Sequence, residues 1–252
     1  MKKRPGFLAP IALTVLFAAP CAARADGFAP GEETVFTISY LNLPTGEGRI
    51  VVGRPEGEIW PLIFQARTGG VAALVDIREH LVSYWHVADR LPSGSDLKAY
   101  EVGDYHVDSA RFDRENLTAT VRVQRKGKLK EKSFPVPADV QDLTGAFMWL
   151  RLQPLEPGQR HAIPVVAGTK QFTVVAEVLG REEVETPAGR YRAFKVKVRT
   201  QFDGRFSTKR DSYLWLADDP RRFLVKASAD FAVGTLVAEL KSYRAGSEVA
   251  AR

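Results

Sequence analysis

A mainly β protein, built as one large antiparallel curved sheet or open barrel with one principal α-helix on or in its concave face, is what this sequence predicts. Two observations carry the prediction. Strand-like segments follow one another with short turns and no strand–helix–strand alternation, which argues for an antiparallel meander and against a parallel sheet. Only "ADVQDLTGAFMWLR", residues 138–151, clearly repeats its apolar residues at helical spacing.

The chain opens on a leader rather than on a strand. Lys2, Lys3 and Arg4 precede a short apolar run from Phe7 to Pro20, and Ala23-Arg24-Ala25 fits a small-x-small cleavage site. The run is too short to span a bilayer, and no later segment is long enough. Residues 1–25 therefore read as a secretory signal peptide, 26–244 as one β-rich domain, and 245–252 as a frayed tail. The expected location is periplasmic or secreted. Cys21, the single cysteine, follows Pro20 where a lipidated cysteine normally follows a small residue, so cleavage after Ala25 is the better match. N-terminal sequencing of the exported protein should begin at Asp26; a chain beginning at a diacylated Cys21 would refute this.

The net charge of +6 is largely the leader's. Removing Lys2, Lys3, Arg4 and Arg24 from 36 basic residues leaves 32 against 30 acidic ones. A mature balance of +2 gives no bulk electrostatic case for nucleic acid.

In order along the chain, "TVFTISYLNL" reads as a strand and "PTGEGRIVVG" as a Gly-bearing turn and a second strand. "EIWPLIFQA" is a third strand, with Pro61 suggesting an edge or a bulge. Residues 71–85 tolerate either state, but their Val, Ile, Tyr and Trp favour strand. "LPSGSD" has the composition of a loop. "AYEVGDYHVDSARFD" is strand-like and turns at "DREN". In "LTATVRVQ", Leu117, Ala119, Val121 and Val123 face one way. "RKGK" turns the chain and "LKEKSFPVP" returns. Asp139 then reads as an N-cap, with Val140, Leu143, Phe147 and Leu150 as one apolar stripe. Trp149, Gly145 and Met148 lie off that stripe, so the helix touches more than one surface. Pro154 and "EPG" end it. Six further strand segments follow, separated by "TPAG", "FDGR", "ADDPR" and "AVG". A helix this short cannot hold itself in water and must pack on the sheet.

"DVQDLTGAFMWLRLQPLEPG", "EVETPAGRYRAFKVKV", "SYLWLADDPRRFLVK" and "VGTLVAEL" stand in this order along the chain. Together they resemble a bacterial family of unknown function, number 3108 (DUF3108). Residues before about Asp104 match more loosely. The resemblance implies an exported, all-antiparallel β fold with no agreed activity and no established catalytic residues. Its architecture is similar to the open barrels of the periplasmic lipoprotein carriers LolA and LolB.

The motifs of hydrolases, metalloproteases and nucleotide-binding enzymes are absent. Asp104, His106 and Asp108 share one strand face and could offer a metal one imidazole and two carboxylates; a solvated edge strand would look the same. "ADDPRR" offers adjacent carboxylates, but Asp before Pro is ordinary turn chemistry. Arg125, Lys126, Lys128 and Lys130 form the strongest basic cluster, suited to an anionic surface or to guarding a strand edge.

The leading expectation is a non-enzymatic envelope protein without cofactor, binding an apolar ligand, a lipid or an envelope component. Phe147, Trp149 and Leu150, with Trp215 and Phe231 from strands, are the expected lining. The alternatives are an envelope assembly protein with a filled core and, last, a hydrolase on envelope polymers.

Overall fold

The structure, a computed structural model, describes residues 27–72, 76–202, 205–206, 211–230 and 234–247. The expected signal peptide, Cys21 and Phe231 lie outside them.

Among the described residues, fifteen strands form one antiparallel sheet. The first eight are β1 (Glu33–Tyr40), β2 (Leu43–Val52), β3 (Ile59–Thr68), β4 (Ile77–His86), β5 (Leu91–Glu101), β6 (Asp104–Asp113), β7 (Thr118–Arg125) and β8 (Lys128–Pro135). The helix α1 (Leu143–Arg151) follows. The rest are β9 (Arg160–Ala167), β10 (Lys170–Thr186), β11 (Gly189–Phe202), β12 (Arg205–Phe206), β13 (Ser212–Ala217), β14 (Leu224–Asp230) and β15 (Thr235–Arg244). Two meanders, β1–β8 and β9–β15, are joined where β1 pairs with β15. The free edges of the sheet are therefore β8 and β9, which are neighbours in sequence. The segment linking them carries the helix, which packs inside the concavity against β9 and β3–β5, while the chain just before it lies along the β9 edge of the unclosed sheet. Gln141 bridges to Val165 of β9 in parallel, through Gln141 N–H to the Pro164 carbonyl at 2.8 Å and Val166 N–H to the Gln141 carbonyl at 2.9 Å.

Several turns fall where the residues put them. Lys126 and Gly127 take positive φ between β7 and β8, and the Asp113 carboxylate accepts the N–H groups of Glu115 and Asn116 at 3.1 and 2.9 Å. Ala119 and Val121 are buried on the inner face of β7. From Ile77 the ambiguous segment is strand; residues 73–75 lie outside the described chain.

Two turns do not. "PTGEG" lies inside β2, and the chain reverses instead at Leu41 and Asn42, with φ of 51° and 63°. "LPSGSD" opens β5, and the reversal precedes it. The glycines misled because they serve close approach, not turning. A Cβ on Gly46 would sit 2.3 Å from the Arg67 carbonyl oxygen, and one on Gly94 would sit 2.4 Å from that of Ala110. Pro61 is likewise in an interior strand. Its last neighbour pair on that side is Val52 with Leu62, so its missing N–H falls where β2 has already ended.

The helix begins later than expected. Its N-cap is Asp142, not Asp139, because residues 138–139 form a turn closed by the Val140 N–H on the Pro137 carbonyl at 3.2 Å and Gln141 is held on β9. The Arg114 guanidinium donates to the carbonyls of Pro92, Ala138 and Val140. Val140 is buried but lies before the helix, so the Val140–Leu150 stripe is broken at its start. Leu143, expected as an anchor, is 50% exposed, whereas Met148, expected off the stripe, is fully buried.

Candidate functional site

The helix divides the interior into levels. Around it the core is dry: Met148 packs with Phe28, Val52, Leu62 and Trp85, and Leu150 with Leu155, Ile163 and Val165. Phe147 and Trp149 are half-buried and belong to both clusters. Trp149 also meets His161 edge-on at 6.0 Å.

Two buried charges fix the helix at its ends. At the N-terminus Asp142 Oδ1 accepts the Gly145 N–H at 2.7 Å, and Oδ2 accepts the Ser83 hydroxyl at 2.6 Å. A Cβ at position 145 would lie 2.8 Å from Gln141 Oε1 and 3.3 Å from Asp142 Oδ1, so any larger residue would have to displace the Gln141 side chain. Burial raises the Asp142 carboxyl to about 6, against the hydrogen bonds from Gly145 and Ser83 that lower it. At the C-terminus Arg151 Nη1 meets Glu32 Oε1 at 2.7 Å, with side-chain exposures of 1% and 3%. Arg151 Nη2 donates to the Arg221 carbonyl at 2.6 Å, and the Tyr243 hydroxyl donates to Glu32 at 3.2 Å. Burial and the Glu32 carboxylate push the Tyr243 phenol upward. Arg222 caps the helix by donating to the carbonyls of Arg151 and Gln153.

Asp142 has a pH consequence. Its ordinary value is 3.8 and its folded value about 6. Below about pH 4 both states are protonated. Between pH 4 and 6 the folded state holds the proton more tightly, so the stability contributed by this group falls as pH rises, by up to about 3 kcal/mol. Above pH 6 the loss is complete. Asp142→Asn keeps a capping oxygen and should remove this slope; denaturant unfolding of both proteins at pH 4, 5, 6 and 7 checks it, and identical slopes would reject it.

Beyond the helix the inner face stays apolar but loses its cover. Phe36 and Leu240 are paired and buried; two residues on, the paired Ile38 and Ala238 are half-buried. The same step separates Leu216 from Leu214, Val196 from Val198, and Leu62 from Phe64. One end of the barrel is therefore a cup of partly exposed apolar side chains.

The expected lining divides. Leu150 is buried in the dry core, while Phe147 and Trp149 reach its border. Trp215 is on the other face. Its register partners are Lys195 and Lys226, whose ammonium groups lie 5.2 and 5.9 Å from its ring, and its Nε1 donates to Glu182 at 2.6 Å. Alternation thus removes it from the concavity.

Asp104, His106 and Asp108 do not converge on one point. Asp104 pairs with Arg125 at 2.5 Å. Asp108 faces inward with its carboxyl raised by burial and Oδ1 without a partner. Among the described residues no group of three His, Cys, Asp or Glu side chains is placed to hold a metal ion.

At the end of the barrel opposite the cup is a cleft of about 670 Å³, lined in part by Arg90, Arg181, Arg222, Glu156 and Asp218. Its acids meet arginines: Asp218 lies 3.4 Å from Arg181 and 3.2 Å from Arg192, and Asp219 lies 2.6 Å from Arg221. "ADDPRR" is thus a turn braced by ion pairs. Sequence reasoning missed both Arg151 and Glu32, and neither carries a motif that would mark it.

The model of the family "Protein of unknown function (DUF3108)" matches residues 35–241. The chain belongs to this family. No curated protein matches it significantly. A beta-barrel-like protein of the unknown-function domain DUF1849 from Brucella abortus superposes with a TM-score of 0.59 at 7% identity, covering 86% of this chain and 98% of that one. A candidate exported protein with a YmcC-like fold from Bacteroides fragilis gives 0.38 at 11% identity over 86% and 97%. A candidate lipoprotein from Parabacteroides distasonis gives 0.35 at 11% identity over the same shares. The Brucella likeness supports the barrel-like fold of this DUF3108 chain and nothing about its activity.

No helix among the described residues is long and apolar enough to cross a membrane.

Proposed function

We propose that this is an exported, non-enzymatic envelope protein that holds an apolar ligand or the apolar part of an envelope component in the cup of its open barrel. The observation that carries the reading is the step from buried to half-exposed apolar residues along the same strands, Phe36 to Ile38 and Leu62 to Phe64. A concave, mostly apolar surface with a few polar groups at its rim is the usual form of a ligand site. Asp142, the buried carboxyl raised to about 6, has both oxygens engaged, one by the Gly145 N–H and one by the Ser83 hydroxyl, which speaks for a structural role.

The dry core at the helix level favours a second reading, in which the helix is a plug and the protein serves assembly without a ligand. Native mass spectrometry with lipid extraction, on protein purified from its own periplasm, separates the two. The ligand reading expects a co-purified apolar molecule. It also expects Trp149→Ala to weaken binding more than it lowers the melting temperature, whereas Phe147→Ala lowers both. Equal melting losses with no bound molecule in the wild type would leave only the plug.

A further inference from the structure

The gap between the two sheet edges is sealed by the helix segment at one end only. At the other, Lys128 and Lys130 of β8 stand across from Gly168 and Thr169, around a hollow of about 480 Å³. A smaller hollow of about 70 Å³, lined by Leu81, Leu97, Val121 and Leu143, shares Asp108 and Gly168 with it. The seam therefore opens on apolar surface.

The pairing registers make this a track. Lys130 pairs with Val123, Val123 with Asp108, Asp108 with Leu97, Leu97 with Leu81, Leu81 with Phe64 and Phe64 with Ile50. Directly paired residues share a sheet face, so one inward-facing row crosses seven strands. Six strand-to-strand steps of about 4.8 Å give a row of about 29 Å. It is basic at the seam and apolar from Leu97 inward, and every member from Val123 to Ile50 is half-buried. Lys128 lies on the same face two residues from Lys130. Among the described residues neither lysine is placed in an ion pair, while their neighbours Arg122 and Arg125 are. Charges on an edge strand also discourage pairing with other chains, but that role does not call for an apolar row leading away from them.

We propose that the seam admits an anionic single-chain amphiphile, with its phosphate or carboxylate headgroup on Lys128 and Lys130 and its chain along Leu97, Leu81, Phe64 and Ile50. This rests on the cup reading and names its ligand class. Asp108 is the one acid in the row, and its Oδ1 is buried without a hydrogen-bond partner.

The test is calorimetric titration of the mature protein with dodecyl phosphate, below its micelle concentration, and with dodecanol. Lys128→Ala/Lys130→Ala should weaken dodecyl phosphate by about tenfold or more and leave dodecanol within about twofold, since a charge-assisted contact is lost and apolar contact is not. Both substitutions are at exposed positions and should leave the fold intact. Equal binding of both probes, unmoved by the lysine variant, overturns the headgroup site and leaves the cup. Binding of neither overturns both. Inorganic phosphate binding as tightly as dodecyl phosphate means an anion site without a chain. Phosphatidylglycerol vesicles bound in the absence of monomer binding mean a membrane-docking edge. Either of the last two also overturns the proposal.

Discussion

Arg151→Met should cost about 3–5 kcal/mol of stability, because it strands a buried carboxylate. Glu32 is 3% exposed in its side chain, and Arg151 is its ion-pair partner at 2.7 Å. The Tyr243 hydroxyl at 3.2 Å offers Glu32 one hydrogen bond but no charge. The arginine also lies over the Phe28 ring at 5.2 Å and reaches the Arg221 carbonyl, so its loss loosens the helix end from the β13–β14 turn. Adding Glu32→Gln to Arg151→Met should recover most of the loss, since the uncompensated charge is then gone. Denaturant unfolding of the two single variants and the double gives the coupling directly. A single-variant loss below about 1 kcal/mol would mean that water reaches Glu32 and the pair is not a dry anchor.

Met148→Ala should cost about 2–5 kcal/mol and Leu143→Ala no more than about 0.5. The contrast reverses what the helical stripe alone implies. Met148 is fully buried among Leu62, Trp85 and Phe28, and truncating it leaves a cavity that the surrounding strands cannot collapse into. Leu143 is half in solvent on the first turn. Thermal melts of the two variants suffice; equal shifts would mean that the helix sits on the sheet in a different rotation.

That reversal shows what was legible in the residues. Strand alternation in β7, the Lys126-Gly127 turn and the presence of one helix all follow from local chemistry, and local chemistry is what a sequence displays. The phase of the helix does not follow from it. A stripe counted from Val140 assumes helical geometry there, but Arg114 and the bridge to Val165 hold the chain from Ala138 to Gln141 out of the helix. Gly46 and Gly94 were misread for a related reason: a glycine needed for close approach looks the same as one needed for a turn until the neighbouring strand is in place. In the candidate site, Trp149 was legible as a residue facing a second surface. Trp215 was not, because an aromatic under two lysines on the convex side and an aromatic in a pocket have the same letter and similar neighbours. Nothing in the residues around Arg151 marks it as buried; its burial depends on Glu32, more than a hundred positions away.

The pairing of β1 with β15 has a consequence in time. Glu33 lies opposite Arg244, so the contact that joins the two meanders spans almost the whole chain. Nearly every other strand pair is between sequence neighbours and can form as a hairpin while the rest is still unstructured. The loop that must close for β1 to meet β15 carries the largest entropy cost in the molecule, and contacts of that span set slow folding rates. Before it closes, β1 and β15 each present an unpaired edge. The final strand thus works as a latch: until β15 reaches β1 the protein is two open ribbons, and the interval before they lock is when a chaperone has most to protect.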